Sequence, residues 1–225
     1  MRARKKTTPM KKLLFGSAAL VGVLMLGLTS CKKDETAPTI TITGGNTQTV
    51  SLNAALTDPG ATANDDSDGD VTSLVTSDYL EVVDENQTGT YTVTYTVADK
   101  AGNVATATKA VTVRNDAYLL EGNYTVTEVI NGSAGQPYSE TVRMSETVNN
   151  RILFNKFANY SGNSNIYANI TGNNLDVPSQ SATILSTLTT FVGTGLKNTT
   201  GFTIEYTETA AGGSSVQGIA NYVKQ

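Results

Sequence analysis

Hydrophobic residues recur along this chain with a period of two. Thr39-Ile40-Thr41-Ile42-Thr43 alternates strictly and stops at Gly44-Gly45. Residues 90–97 alternate as well, with Tyr91, Val93, Tyr95 and Val97 on one face and threonines on the other. Lys100-Ala101-Gly102-Asn103 turns the chain and 104–113 alternates again, which predicts a β-hairpin with Val111 and Val113 inward and Lys109 outward. Beyond Asn115 strands are expected at 123–129, 138–148, 151–157, 165–170, 175–177, 190–196, 201–207 and 216–223, joined by turns such as Asn131-Gly132 and Asn173-Asn174. Sequential strands with short connections make an up-and-down meander. A meander of this length hides its edges by closing into a barrel, with a flattened two-sheet sandwich as the alternative. No segment beyond residue 37 places apolar residues at i, i+3, i+4 and i+7, so the fold class is all-β.

The N-terminus follows a different pattern. Arg2, Arg4, Lys5, Lys6, Lys11 and Lys12 precede an apolar run over 13–28 that is rich in Gly and Ala and short for a membrane span of ~20 apolar residues. A basic segment, an apolar segment and small residues at its end form an export signal. Its end, Leu28-Thr29-Ser30-Cys31, resembles the lipobox of bacterial lipoproteins, which implies cleavage before Cys31 and a lipid on that cysteine. Cys31 is the only cysteine, so no disulfide can form, and lipidation accounts for a lone thiol in an exported chain. Acyl chains contribute ~0.8 kcal/mol per buried methylene, enough for a lasting anchor when two or three are present. Lys33, Asp34 and Glu35 then resemble the export tag that directs some Bacteroidota lipoproteins to the cell surface.

Cleavage changes the charge balance. Six of the 16 basic residues lie in 1–30 and none of the 20 acidic ones, so the mature chain carries 10 basic against 20 acidic residues. Nucleic acid is excluded as a partner, because binding it needs clustered Lys and Arg. The membrane, through the lipid on Cys31, is the expected partner.

Four motifs recur in a fixed order: Asp58-Pro59-Gly60-Ala61-Thr62-Ala63, Asp68-Gly69-Asp70-Val71-Thr72, Gly89-Thr90-Tyr91-Thr92-Val93-Thr94-Tyr95 and Asp99-Lys100-Ala101-Gly102-Asn103-Val104-Ala105. Together they resemble the bacterial surface Ig-like domain, also found in certain pesticidal crystal proteins. The resemblance implies a β-sandwich over 38–114 that acts as a spacer or presentation module. The opening Glu121-Gly122-Asn123-Tyr124-Thr125-Val126 resembles calycin-like, lipocalin-like domains of Bacteroidota lipoproteins, which implies a β-barrel over 115–225 with Tyr124 as its plug. The expected organisation is a signal peptide at 1–30, a lipidated linker at 31–37 and these two domains.

Candidate chemistry is sparse. Asp66, Asp68 and Asp70 have the alternate spacing by which a loop wraps Ca²⁺. An EF-hand is excluded, because its sixth and twelfth positions, counted from Asp66, are Val71 and Ser77 rather than Gly and Glu. A solvated Asp/Gly turn is the favoured reading, with a calcium site of another design as the alternative and no other cofactor expected. The aromatic residues Phe154, Phe157, Tyr167, Phe191, Phe202, Tyr206 and Tyr222 are read as barrel core in preference to ligand lining. Tyr138 and Tyr160 lie among Ser, Gly, Asn and Pro in segments read as exposed loops, where they could stack on a sugar. The chain has no histidine, so a Ser-His-Asp triad, a Cys-His pair and histidine-ligated zinc are excluded. Glu128, Glu140, Glu146, Asp176, Glu205 and Glu208 are read as solvated strand positions, and no enzyme activity is expected. Two functions follow. In the first, an Ig-like spacer presents a C-terminal domain that binds a glycan or small ligand. In the second, the protein is a structural or assembly component that touches other surface proteins.

Overall fold

The computed structural model describes residues 33–160 and 165–225. The signal segment and Cys31 lie outside these residues.

The first strands are β1 (Thr39–Ile42), β2 (Thr47–Ser51), β3 (Ala61–Asp65), β4 (Gly69–Asp70), β5 (Thr76–Ser77), β6 (Gly89–Ala98) and β7 (Val104–Arg114). They form two sheets, β1-β3-β4 and β2-β7-β6-β5. The chain changes sheet between β1 and β2, where Gly44 and Gly45 hold φ of 73° and 82°, a left-handed turn that a β-carbon would strain. β2 then runs parallel to β7, while β6 and β7 form the expected antiparallel hairpin. A four-residue helix, α1 (Tyr79–Val82), bridges β5 and β6 and was not visible as periodicity. Tyr79, Val93, Tyr95, Val111 and Val113 fill the space between the sheets.

Lys109 is a correction to the sequence reading. It shares the parity of Val111 and Val113, and it is buried with them. Its Nζ donates to the Thr43 carbonyl at 2.9 Å, which satisfies the inward charge with the backbone that leaves β1. The motif residues also have structural duties. Asp58 accepts hydrogen bonds from the Tyr95 hydroxyl at 2.6 Å, the Gly60 amide at 2.8 Å and the Ser77 hydroxyl. Burial raises its pKa, but these hydrogen bonds and the charge of Lys109 outweigh it, so the carboxyl titrates below its usual range.

The second half comprises β8 (Gly122–Ile130), β9 (Ser133–Ala134), β10 (Tyr138–Met144), β11 (Arg151–Phe154), β12 (Tyr167–Thr171), β13 (Asn174–Ile184), β14 (Thr187–Lys197), β15 (Gly201–Ala210) and β16 (Ser215–Lys224). Apart from the short β9, each strand pairs antiparallel with the next. β8 pairs with both β10 and β16, which closes an eight-stranded barrel and settles the choice against a flattened sandwich. Its interior is filled. Tyr124, Phe154, Phe157, Phe191, Phe202, Tyr206 and Tyr222 pack centroid to centroid at 4.4 to 6.3 Å. Tyr124 donates its hydroxyl to the Leu120 carbonyl at 2.8 Å. Burial pushes the Tyr124 phenol up to about 12.

Tyr167 departs from the expected core set. Ala168 and Ile170 occupy the inward parity of β12, and Tyr167 faces out beneath the guanidinium of Arg151, 3.8 Å above its ring.

The two halves meet at Asn115. This residue is buried, and its side-chain amide donates to the carbonyls of Ser145 and Val148 at 2.8 and 2.9 Å. Its oxygen accepts from the amides of Ala117 and Asn150, both at 2.9 Å. Around it Ser51 donates to Asp116, Thr88 donates to the Glu146 carbonyl, and Asn149 donates to Asn53.

Candidate functional site

Tyr138 and Tyr160, set in segments read as exposed loops, come to the same end of the barrel, where both are half-buried. Tyr138 opens β10 and donates to Glu128 Oε1 at 3.0 Å. Tyr206 reaches the same oxygen at 3.1 Å, and Tyr160 donates to Glu208 at 2.9 Å. Glu128 follows Tyr124 and Val126 on the inward parity of β8, so it is buried rather than solvated. Glu140 is buried too, on the inward parity of β10, where it accepts from the amides of Asn155 and Lys156 at 2.9 and 2.7 Å. These two glutamates correct the expectation that the acidic residues of the strands face solvent.

Burial raises the Glu128 pKa. Hydrogen bonds from Tyr138 and Tyr206 oppose that shift and the neighbouring Glu208 charge adds to it, and the net direction is upward. Burial and the bonded Glu208 push the Tyr160 phenol up to about 12. The cluster is therefore a set of phenols whose hydroxyls are already taken by internal carboxylates. Each of these hydroxyls spends its hydrogen on a carboxylate of the same cluster.

The Asp66 to Asp70 loop is occupied in the same way. Asp68 accepts the Lys100 amide at 2.8 Å and its ammonium at 3.0 Å, and these bonds lower the Asp68 pKa. Asp70 accepts the Thr72 amide at 2.9 Å, while Asp66 is exposed. The three carboxylates are not gathered around one point; among the described residues the acidic side chains that do converge are Asp34, Asp65 and Asp99.

An open concavity lies on the outer face of the barrel. It has a volume of about 690 Å³ and its lining includes Asn174, Asp176, Thr194, Leu196, Thr203 and Glu205. A second hollow of about 430 Å³ continues it past Val192, Thr207, Gln217 and Ile219. Strand register explains the lining. Asp176 pairs with Thr194, Thr194 with Glu205 and Glu205 with Ile219, so the four form one row across β13, β14, β15 and β16. Asn174, Leu196, Thr203 and Asn221 form the next row, and Val192, Thr207 and Gln217 a third.

On the opposite face of these strands there is no room for side chains at certain positions. A β-carbon on Gly218 would come within 2.2 Å of the Tyr206 ring, so the glycine admits that ring. Sequence reasoning missed the groove. Its available signal was Val192, Leu196 and Ile219, apolar residues on the outward parity of strands whose inward parity already supplies a core.

The second half is thus a closed barrel with a filled interior, joined to a two-sheet sandwich and carrying a groove on its outer wall. Residues 40–113 match the family described as bacterial surface protein, Ig-like domain. No curated protein matches the chain. Among solved structures it is similar to the lipoprotein BT2262 from Bacteroides thetaiotaomicron, at 18% identity and a TM-score of 0.33, over 84% of this chain and 100% of that one. It is also similar to the CBM51-2 and INT domains of ZmpB from Clostridium perfringens, solved with GlcNAc, at 15% identity and a TM-score of 0.28, over 83% of this chain and 43% of that one.

Proposed function

We propose that this protein is a lipid-anchored lipoprotein of the bacterial cell surface, whose Ig-like domain carries a calycin-like barrel that binds through its outer groove. The lipobox at Leu28-Thr29-Ser30-Cys31 and the tag at Lys33, Asp34 and Glu35 support the anchor and the outer-membrane location. The observation that carries the binding role is the contrast between a barrel interior filled by its own aromatics and a continuous concavity on its wall. The groove combines hydroxyls from Thr194, Thr203 and Thr207 and carboxylates from Asp176 and Glu205 with the apolar surfaces of Val192, Leu196 and Ile219. That mixture suits a hydroxyl-rich ligand of the glycan class, whose sugar rings present both polar edges and C–H faces. No catalytic role is assigned.

The test is a glycan-array and thermal-shift screen of the wild-type protein and of Thr194→Arg, which fills the groove at an exposed strand position. Saturable binding that Thr194→Arg abolishes and Tyr138→Phe leaves intact supports the groove. Binding that survives Thr194→Arg moves the site elsewhere, and a uniformly silent screen favours the second reading, an assembly component that contacts other surface proteins. The exposed apolar positions Val192, Leu196 and Ile219 are the observation on which that second reading rests.

A further inference from the structure

Three carboxylates converge in the sandwich domain. One oxygen each from Asp34, Asp65 and Asp99 lies within 4.8 Å of the other two. They come from three separate parts of the chain: the segment before β1, the end of β3 and the residue after β6. Asp65 is only 2% exposed, and its Oδ1 accepts the amides of Ser67 and Asp68, both at 2.9 Å. Its Oδ2 is buried with no hydrogen-bond partner. An unpaired carboxylate oxygen inside a protein is costly, and two further carboxylates beside it add repulsion. Among the described residues the ion pair formed is that of Lys100 with Asp68, so none of the three acids is neutralised by a basic side chain.

The framework holding these groups is built from the motif residue Asn103. Its backbone amide donates to Asp99 Oδ1 at 2.8 Å and its side-chain amide to Asp99 Oδ2, also at 2.8 Å. The same side-chain nitrogen reaches the carbonyls of Asp34 and Thr36 at 3.2 and 3.0 Å, which ties the segment before β1 to the hairpin turn. Asp34 Oδ1 accepts the Thr36 amide at 3.0 Å.

We infer that Asp34, Asp65 and Asp99 bind a calcium ion, with Asp65 Oδ2 as its buried ligand. An all-oxygen donor set of three carboxylates selects a hard cation. Calcium tolerates the irregular geometry of ligands from three loops and fills its remaining positions with water or carbonyl oxygens, whereas magnesium demands a near-ideal octahedron. The ion supplies the positive charge that the cluster lacks. It also fixes Asp34, and with it the start of the domain, to the sandwich. The inference rests on this cluster alone and is independent of the binding role of the barrel.

The experiment is calorimetric titration of the full chain with CaCl₂, comparing wild type with Asp65→Asn, Asp34→Asn and Asp66→Asn. Wild type is expected to bind one ion per chain with a Kd of about 10⁻⁴–10⁻³ M, the range of extracellular calcium modules. Asp65→Asn keeps the Oδ1 acceptor for Ser67 and Asp68 while replacing the free oxygen, and it is expected to weaken binding at least about tenfold. Asp34→Asn lies outside both sheets, so it tests the site without disturbing the core, and it is expected to weaken binding likewise. Asp66→Asn is expected to bind as wild type does. Absence of saturable binding by wild type, or wild-type affinity in Asp34→Asn and Asp65→Asn, overturns the assignment, as does loss of binding confined to Asp66→Asn.

Discussion

Replacing Asn115 by alanine is expected to be among the most damaging single changes in the protein, because the residue is fully buried and its side chain is spent on backbone groups. Asparagine at this position bonds five backbone groups: the carbonyls of Ser145, Val148 and, at a longer 3.4 Å, Arg151, and the amides of Ala117 and Asn150. Asn150 keeps a second acceptor in Asn149 Oδ1 and the Arg151 carbonyl keeps the Ser145 amide, both at 2.9 Å, so three groups lose the partner that Asn115 supplies. A buried polar group left unpaired costs about 1–3 kcal/mol. The bond to Val148 is only partly buried and the costs do not add fully, which puts the loss at about 2–4 kcal/mol. That is a large share of the ~5–15 kcal/mol by which domains are stable. Asn115→Asp is a sharper probe, since it retains the acceptor for both amides and removes only the donors, placing negative charge against those carbonyls. Urea unfolding would measure both. The reasoning fails if Asn115→Ala shifts stability by less than about 1 kcal/mol, or if Asn115→Asp is as stable as wild type.

Further expectations follow from other parts of the structure. The raised pKa values of Glu128 and Glu140 give stability that is fully present below their unfolded value near 4.5 and is lost as pH rises through the folded values. The lowered values of Asp58, Asp68, Asp70 and Asp99 act oppositely, giving stability present above 3.8 and lost as pH falls through their folded values. Thermal melts should therefore show a maximum on the acidic side of neutrality, and Glu128→Gln should raise the Tm at pH 7 and flatten the slope above 4.5; a lower Tm at pH 7 contradicts this account. Leu185 and Ser186 form the two-residue connection of β13 to β14 with φ of 46° and 72°, and Leu185 is 93% exposed. Exchanging the pair for Asn-Gly, which suits two left-handed residues, should stabilise the protein by about 0.5–2 kcal/mol in a denaturant titration. Gly218→Ala should cost about 1–3 kcal/mol by the same assay, since the new methyl group meets the Tyr206 ring.

Alternation makes the two β domains legible in the sequence, and it fails where something other than side-chain period governs the chain. The β13–β14 hairpin is longer than expected, because Pro178 falls within β13 next to a register shift between Val177 and Gln180, and Leu185-Ser186 does not resemble a turn sequence. Lys109, Glu128 and Glu140 were read by their charge, yet each occupies an inward position and finds hydrogen-bond partners there. Period-two parity was the stronger guide in all three cases, since one side chain cannot change face without a bulge. The carboxylates that converge on Asp65 were beyond sequence reasoning for another reason: their proximity depends on how the segment before β1 meets two distant turns. Tyr138 and Tyr160 stand out in the sequence as tyrosines among loop residues, and only the fold shows that their hydroxyls donate to Glu128 and Glu208.

The apolar residues of the groove provide a test of whether the barrel wall exists for folding or for recognition. Val192, Leu196 and Ile219 are 45%, 59% and 47% exposed, on strands whose other face already packs Phe191, Phe202, Ile204 and Tyr222. In an open sheet such outward residues invite edge pairing, but β14, β15 and β16 are each paired on both sides, so these residues carry little aggregation risk through strand addition. A folding role is weak for the same geometric reason, because each side chain buries only part of its area against its neighbours on one face. Threonine keeps the β-branched shape that strands favour, so Val192→Thr, Leu196→Thr and Ile219→Thr together should change stability by no more than about 0.5 kcal/mol per site. Ligand or partner affinity, measured in parallel, should fall. If stability drops by several kcal/mol instead, these residues serve the barrel itself, and the recognition surface must be sought on another wall.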